Sequence, residues 1–162
     1  MSNYYLARNP NTSAETLARL ANDKDSEVRS RVARNPNTSP EALERLANDI
    51  DWGVRYYVAV NPNTPPEPLE LLSYDKHYWV RHDVACNPNT SPKTLDLLAN
   101  DEKWSVRLEV AGNPNTSPET LERLAKDDND VRYEVVNNPV TPQYILTYLK
   151  IKRTIDGLST RS

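Results

Sequence analysis

Two short apolar patterns alternate along the chain. The first is Leu-x-x-Leu-Ala, as in Leu43, Leu46 and Ala47, and the second is Val-Arg-x-x-Val-Ala, as in Val54, Arg55, Val58 and Ala59. Spacings of three and four place the apolar residues of each pattern on one helical face. No segment sustains the period-two alternation of a half-buried strand. The patterns recur in a fixed frame. Asn-Pro-Asn-Thr begins at Asn9, Asn35, Asn61, Asn87 and Asn113, always 26 residues on, and a degraded Asn-Pro-Val-Thr begins at Asn138 after a 25-residue step. This divides the chain into a partial repeat over 1–8, five repeats over 9–137, and a partial repeat with a cap over 138–162. The expectation is one all-α solenoid of two-helix repeats without sheet.

Polar residues punctuate each unit. Thr12, Thr38, Thr64, Thr90, Thr116 and Thr141 each precede a first helix, and Glu15, Glu41, Glu67 and Glu119 follow three residues later, at capping-box spacing. Pro40, Pro92 and Pro118 fall in the first turn, where a missing N–H costs little. The Asn before each Asn-Pro proline is steered away from helical angles, which ends the second helix, and Asn tolerates the left-handed conformation that closes many helices. A unit with two Leu, two Val and an Ala offers too little apolar surface to offset the entropy of ordering it. Stability must come from stacking units into a continuous spine.

Composition narrows the function classes. The 162 residues carry 20 Lys plus Arg against 23 Asp plus Glu, a net charge of −3 that disfavours nonspecific nucleic-acid binding. Mean hydropathy is −0.78, no apolar run approaches a membrane span and no signal peptide opens the chain, so a cytoplasmic protein away from membranes is expected. A single Cys excludes internal disulfides, a zinc knuckle and a four-Cys iron–sulfur site.

Units such as NPNTSPETLERLAKDDNDVRYEVVNNP resemble the leucine-rich repeat variant family, over about residues 4–149. The resemblance implies a right-handed superhelix of alternating α- and 3₁₀-helices. It also implies a scaffold for binding proteins, with no common catalytic residues. The founding type carries a cysteine-rich domain holding a four-iron cluster. This sequence starts directly in the repeats, with Cys86 its one cysteine, so neither the cluster nor a redox role is carried over.

Several residues invite a functional reading. A repeated Arg (Arg29, Arg55, Arg81, Arg107, Arg132) lies on the core-facing side of its helix and must be paired, with the upstream Asp23, Asp49, Asp75, Asp101 and Asp127 as helix caps or as partners in the same or an adjacent unit. The Asn ladder is explained by loop capping. Positions that vary between units are more informative. Trp52 with Tyr56, Tyr78 with His82, and Trp104 with Leu108 form a stripe, flanked by Tyr57 and Trp79. Packing between units competes with a binding ridge as its explanation. His77 and His82 are five apart, a poor spacing for two ligands on one helix, and Cys86 sits at a permissive position as an inert thiol. No metal or cofactor is expected, and no catalytic motif stands out. The C-terminal Lys150, Lys152, Arg153 and Arg161 read as a frayed basic cap. The leading expectation is a non-catalytic scaffold that binds another protein or peptide through Trp52, Tyr56, Tyr57, Tyr78, Trp79, His82 and Trp104. Alternatives are nucleic-acid binding through aligned Arg, and an accessory subunit of an enzyme. Nothing in the sequence fixes the oligomeric state.

Overall fold

The computed structural model describes residues 2–159; Met1 and Arg161 of the expected basic cap lie outside the described residues. Twelve helices and no strand are found among those described. The second helix of each unit carries an odd number: α1 (Asn3–Arg8), α3 (Ser26–Arg34), α5 (Trp52–Val60), α7 (Tyr78–Cys86), α9 (Trp104–Gly112) and α11 (Asn129–Asn137). The first helices are α2 (Ala14–Leu20), α4 (Pro40–Leu46), α6 (Pro66–Leu72), α8 (Pro92–Leu98), α10 (Pro118–Leu124) and α12 (Gln143–Ser159). The odd-numbered helices stack on one another in chain order, α1 on α3 through to α11, and the first helices pack beside them. The result is an all-helical solenoid. Both helices of each unit are α-helical; bonds of the 3₁₀ type appear in the turn after each first helix, as from the Asn48 amide to the Arg45 carbonyl.

The buried residues follow the two apolar patterns. Leu43 and Leu46 of α4 meet Val54, Val58 and Ala59 of α5, each at most 2% exposed, and the same set recurs in every central unit as one continuous spine. Val and Ala suit the second helices because small side chains let neighbouring helices approach closely.

The caps differ from expectation in a way that explains the stacking. The N-cap of a first helix is Ser, not Thr: Ser13, Ser39, Ser91 and Ser117 accept from the amide three residues on. The glutamates therefore sit one position early for a capping box. The preceding Thr turns back instead, its hydroxyl donating to a carbonyl of the previous helix, as Thr90 does to Val84 at 2.5 Å. The Asn that ends each second helix is extended rather than left-handed; Asn35 has φ −71° and ψ 130°. Its side chain links units. Nδ2 of Asn87, at the end of α7, donates to the carbonyls of Ala59 (2.7 Å) and Asn61 (3.0 Å) at the end of α5, while its Oδ1 accepts from the Asn89 amide. Asn35, Asn61, Asn113 and Asn138 repeat this arrangement. The ladder supplies a donor to a helix-end carbonyl such as that of Ala59 and a second donor to the Asn61 carbonyl, which also accepts from the Thr64 amide.

Candidate functional site

The aligned arginines are engaged within the fold. Arg55 forms a forked pair with Asp75 of the next unit, through Nε at 2.5 Å and Nη2 at 3.1 Å, and its Nη1 donates to the Asp49 carbonyl of its own unit. Arg29–Asp49, Arg81–Asp101 and Arg107–Asp127 repeat the pair, with side chains 4–20% exposed. Arg132, in the last full unit, bonds the Asp127 carbonyl and Asn129 instead. For Asp49, Asp75, Asp101 and Asp127 pairing with the adjacent unit is the observed role, while Asp23 accepts from the Asn3 side-chain amide; the N-caps of the second helices are residues further on, such as Asp51. Burial by itself would raise the pKa of Asp49, Asp75 and Asp101. The guanidinium and a backbone amide two residues on outweigh it, and all three carboxyls are held below their ordinary value. At Asp127 the hydrogen bond from Arg107 is the largest influence, and the shift is again downward.

The expected aromatic stripe separates into two levels. Trp52, Trp79 and Trp104 are 43%, 47% and 50% exposed, whereas Tyr56 and Tyr57 are half-buried and pack against the spine. The difference follows from position. Trp52 and Trp104 are the first residues of α5 and α9 and project at the helix start, while the position four residues on lies within the stack; in α7 the first residue, Tyr78, is half-buried against Trp79, and it is Trp79 that is exposed. Tyr78, Trp79 and His82 of α7 then meet Lys103, Trp104 and Ser105 across a groove of about 440 Å³. The rings of Tyr78 and Trp79 lie 4.7 Å apart, and the Lys103 ammonium stands 6.0 Å from the Tyr78 ring. Four expected site residues thus share one groove. Trp52 lies apart from it, stacked on His77 at 4.6 Å and 12°.

Charge is ordered along the same side of the stack. Arg8, Arg31 and Arg34 line a recess with Tyr4 at the N-terminal end, where Arg31 lies over the Tyr4 ring at 5.2 Å and Arg34 over the Tyr57 ring at 5.8 Å. The Arg31 position holds Tyr57 in the second unit and then Asp83, Glu109 and Glu134, whereas the position shared by Arg8 and Arg34 holds Val60, Cys86, Gly112 and Asn137.

The two histidines are not a pair. His77 is the N-cap residue of α7, and His82 turns the other way, towards Cys86, Asp83 and Glu109. Sequence reading compared the histidines with each other and passed over the spacing of four between His82 and Cys86, which puts two donors on one helical face. Lys103, Ser105 and Glu109 were also missed, because only the stacking of units brings them to α7.

Among the described residues no helix is long and apolar enough to cross a membrane. Two family profiles match: "Leucine Rich Repeat Variant domain" over residues 2–56 and "Leucine rich repeat variant" over residues 104–129, together half the chain. Neither describes a catalytic family. A solved structure described as "a leucine-rich repeat variant with a novel repetitive protein structural motif" is 28% identical, with a TM-score of 0.40; the match covers 83% of this chain and 64% of that one. No curated protein matches the chain.

Proposed function

The chain belongs to the leucine-rich repeat variant family, a helical repeat scaffold, and from that premise we propose that it is a non-catalytic binder of another protein or peptide. The observation that carries this reading is the exposure of three tryptophans, between 43% and 50%, on three consecutive units, two of them bordering the groove between α7 and α9. Large amphipathic rings held on rigid helices lose little entropy on binding and supply much of the energy at protein interfaces. The groove suits an apolar side chain of the partner. The basic-to-acidic order along the stack suits a partner with the opposite order. The nucleic-acid alternative is weakened, because four of the repeated arginines already hold Asp in forked pairs.

The test is affinity capture from the native cell followed by binding measurements on the purified partner. Trp79→Ala combined with Trp104→Ala should lower affinity at least about tenfold while leaving the thermal midpoint nearly unchanged, since both rings are largely outside the spine. Undiminished binding by this double variant would sink the groove reading. Tight, steeply salt-dependent binding to RNA or DNA would replace it with the nucleic-acid alternative.

A further inference from the structure

The side of α7 facing α9 gathers donors of three kinds. Nδ1 of His82 lies 3.7 Å from Sγ of Cys86 and 3.8 Å from Oδ1 of Asp83. The three donor atoms lie within 4.8 Å of one another. On the opposite edge of the imidazole, Nε2 is 3.5 Å from Oε1 of Glu109, contributed by α9. A tetrahedral zinc ion with bonds of about 2.0–2.3 Å sets neighbouring ligand atoms roughly 3.3–3.7 Å apart. The His82–Cys86 separation is at that span, and small side-chain rotations bring in Asp83.

We propose that His82 Nδ1, Cys86 Sγ and Asp83 Oδ1 form a zinc-type divalent-cation site on α7, with Glu109 holding the imidazole from the next unit. The chemistry of the donors selects the class of metal. Nitrogen, sulfur and a carboxylate oxygen together suit a borderline cation, whereas calcium and magnesium prefer oxygen alone. A carboxylate behind the coordinating histidine is the usual second partner in such sites, fixing the ring tautomer and orientation. Cys86 would bind as thiolate, releasing its proton to solvent. A water molecule would complete four ligands.

One further observation agrees: the trio is foreign to the repeat. The matching positions are Tyr56, Tyr57 and Val60 in one neighbouring unit and Leu108, Glu109 and Gly112 in the other. Stacking does not require these side chains, and those neighbours supply replacements that the fold already accommodates. The proposal does not rest on protein binding by the chain.

The experiment is a titration of the full chain, reduced and metal-free, with Co²⁺ and then with Zn²⁺ in competition. One equivalent of Co²⁺ should give a thiolate-to-metal charge-transfer band, which Zn²⁺ abolishes. Cys86→Val should lose the band, and His82→Leu should weaken binding more than tenfold. Glu109→Gln should keep the band but weaken binding about 10–100-fold. Circular dichroism of each variant without metal verifies the fold. Absence of the band with no saturable binding at micromolar metal would overturn the proposal. So would saturable binding that survives both Cys86→Val and His82→Leu, which would mean an adventitious ion only.

Discussion

At the residue scale, one polar side chain in each unit does work that apolar patterning does not describe. The buried Asn makes three hydrogen bonds, two of them to carbonyls at the end of the preceding second helix. Asn87→Ala would leave the Ala59 carbonyl short of a donor in a buried place and the Asn61 carbonyl with the Thr64 amide alone. We expect a loss of about 2–4 kcal/mol from several broken bonds at roughly 0.5–1.5 kcal/mol each plus the desolvation they no longer offset. Urea denaturation would read this as a lower midpoint with an unchanged slope. A loss under about 0.5 kcal/mol would show that water replaces the side chain at no cost. The Asn positions were legible in the sequence, because a polar residue repeated in a fixed frame must serve the frame. Their mode of action was not. The restriction imposed by the following proline was legible and is observed as an extended Asn; the left-handed conformation that Asn also tolerates is not adopted, and the reach of the side chain to the neighbouring unit was not readable.

Between helices, small differences in punctuation have distinct consequences. Ser91 caps α8 through the Thr94 amide, so Ser91→Ala should cost about 1 kcal/mol. The third unit has Pro65 where the other four full units have Ser, and Pro68 stands where the capped amide would be. Proline has no N–H to offer, so Pro65→Ser should bring no gain of that size, whereas Pro65→Ser with Pro68→Thr should stabilise by about 0.5–1 kcal/mol. Thermal unfolding of the three variants checks the set; a full gain from Pro65→Ser alone would refute the account. The same scale explains what was readable at the candidate groove. Helical periodicity found Tyr78, Trp79, His82 and Trp104 on related faces of α7 and α9. It treated the stripe as one surface because a wheel has no ends. The helix start exposes Trp52 and Trp104, and the packed middle half-buries Tyr56, a distinction made by the third dimension.

Across the whole molecule, stability is expected to scale with the number of joints. Deleting residues 61–86 rejoins Val60 to Asn87 in register, and Arg55 then meets Asp101 as it had met Asp75. The shortened chain should fold cooperatively with a lower urea midpoint and a smaller slope. Removing residues 61–73 alone should abolish folding, as judged by circular dichroism. Acid should act on all joints together. Asp49, Asp75, Asp101 and Asp127 have folded pKa values below their unfolded ones, so their contribution is complete above the unfolded carboxylate value of about 3.9 and is lost as pH falls through the folded values. Stability measured by urea should be nearly level from about pH 5 to 8 and drop steeply below about pH 4. A level profile down to pH 2 would mean that the forked pairs contribute nothing to the ionised fold. These pairs reach forward to the following unit, while the asparagines reach back to the one before. No junction is therefore its own mirror image, and the two ends of the chain are chemically unlike. A gene segment encoding one whole unit, copied in tandem, inserts a piece that both flanking pieces accept. A cut that splits a unit strands donors opposite nothing, whereas the 25-residue step to Asn138, which keeps every contact position, preserves the ladder. Evolution could lengthen or trim such a protein in quanta, adjusting its reach without inventing a new contact.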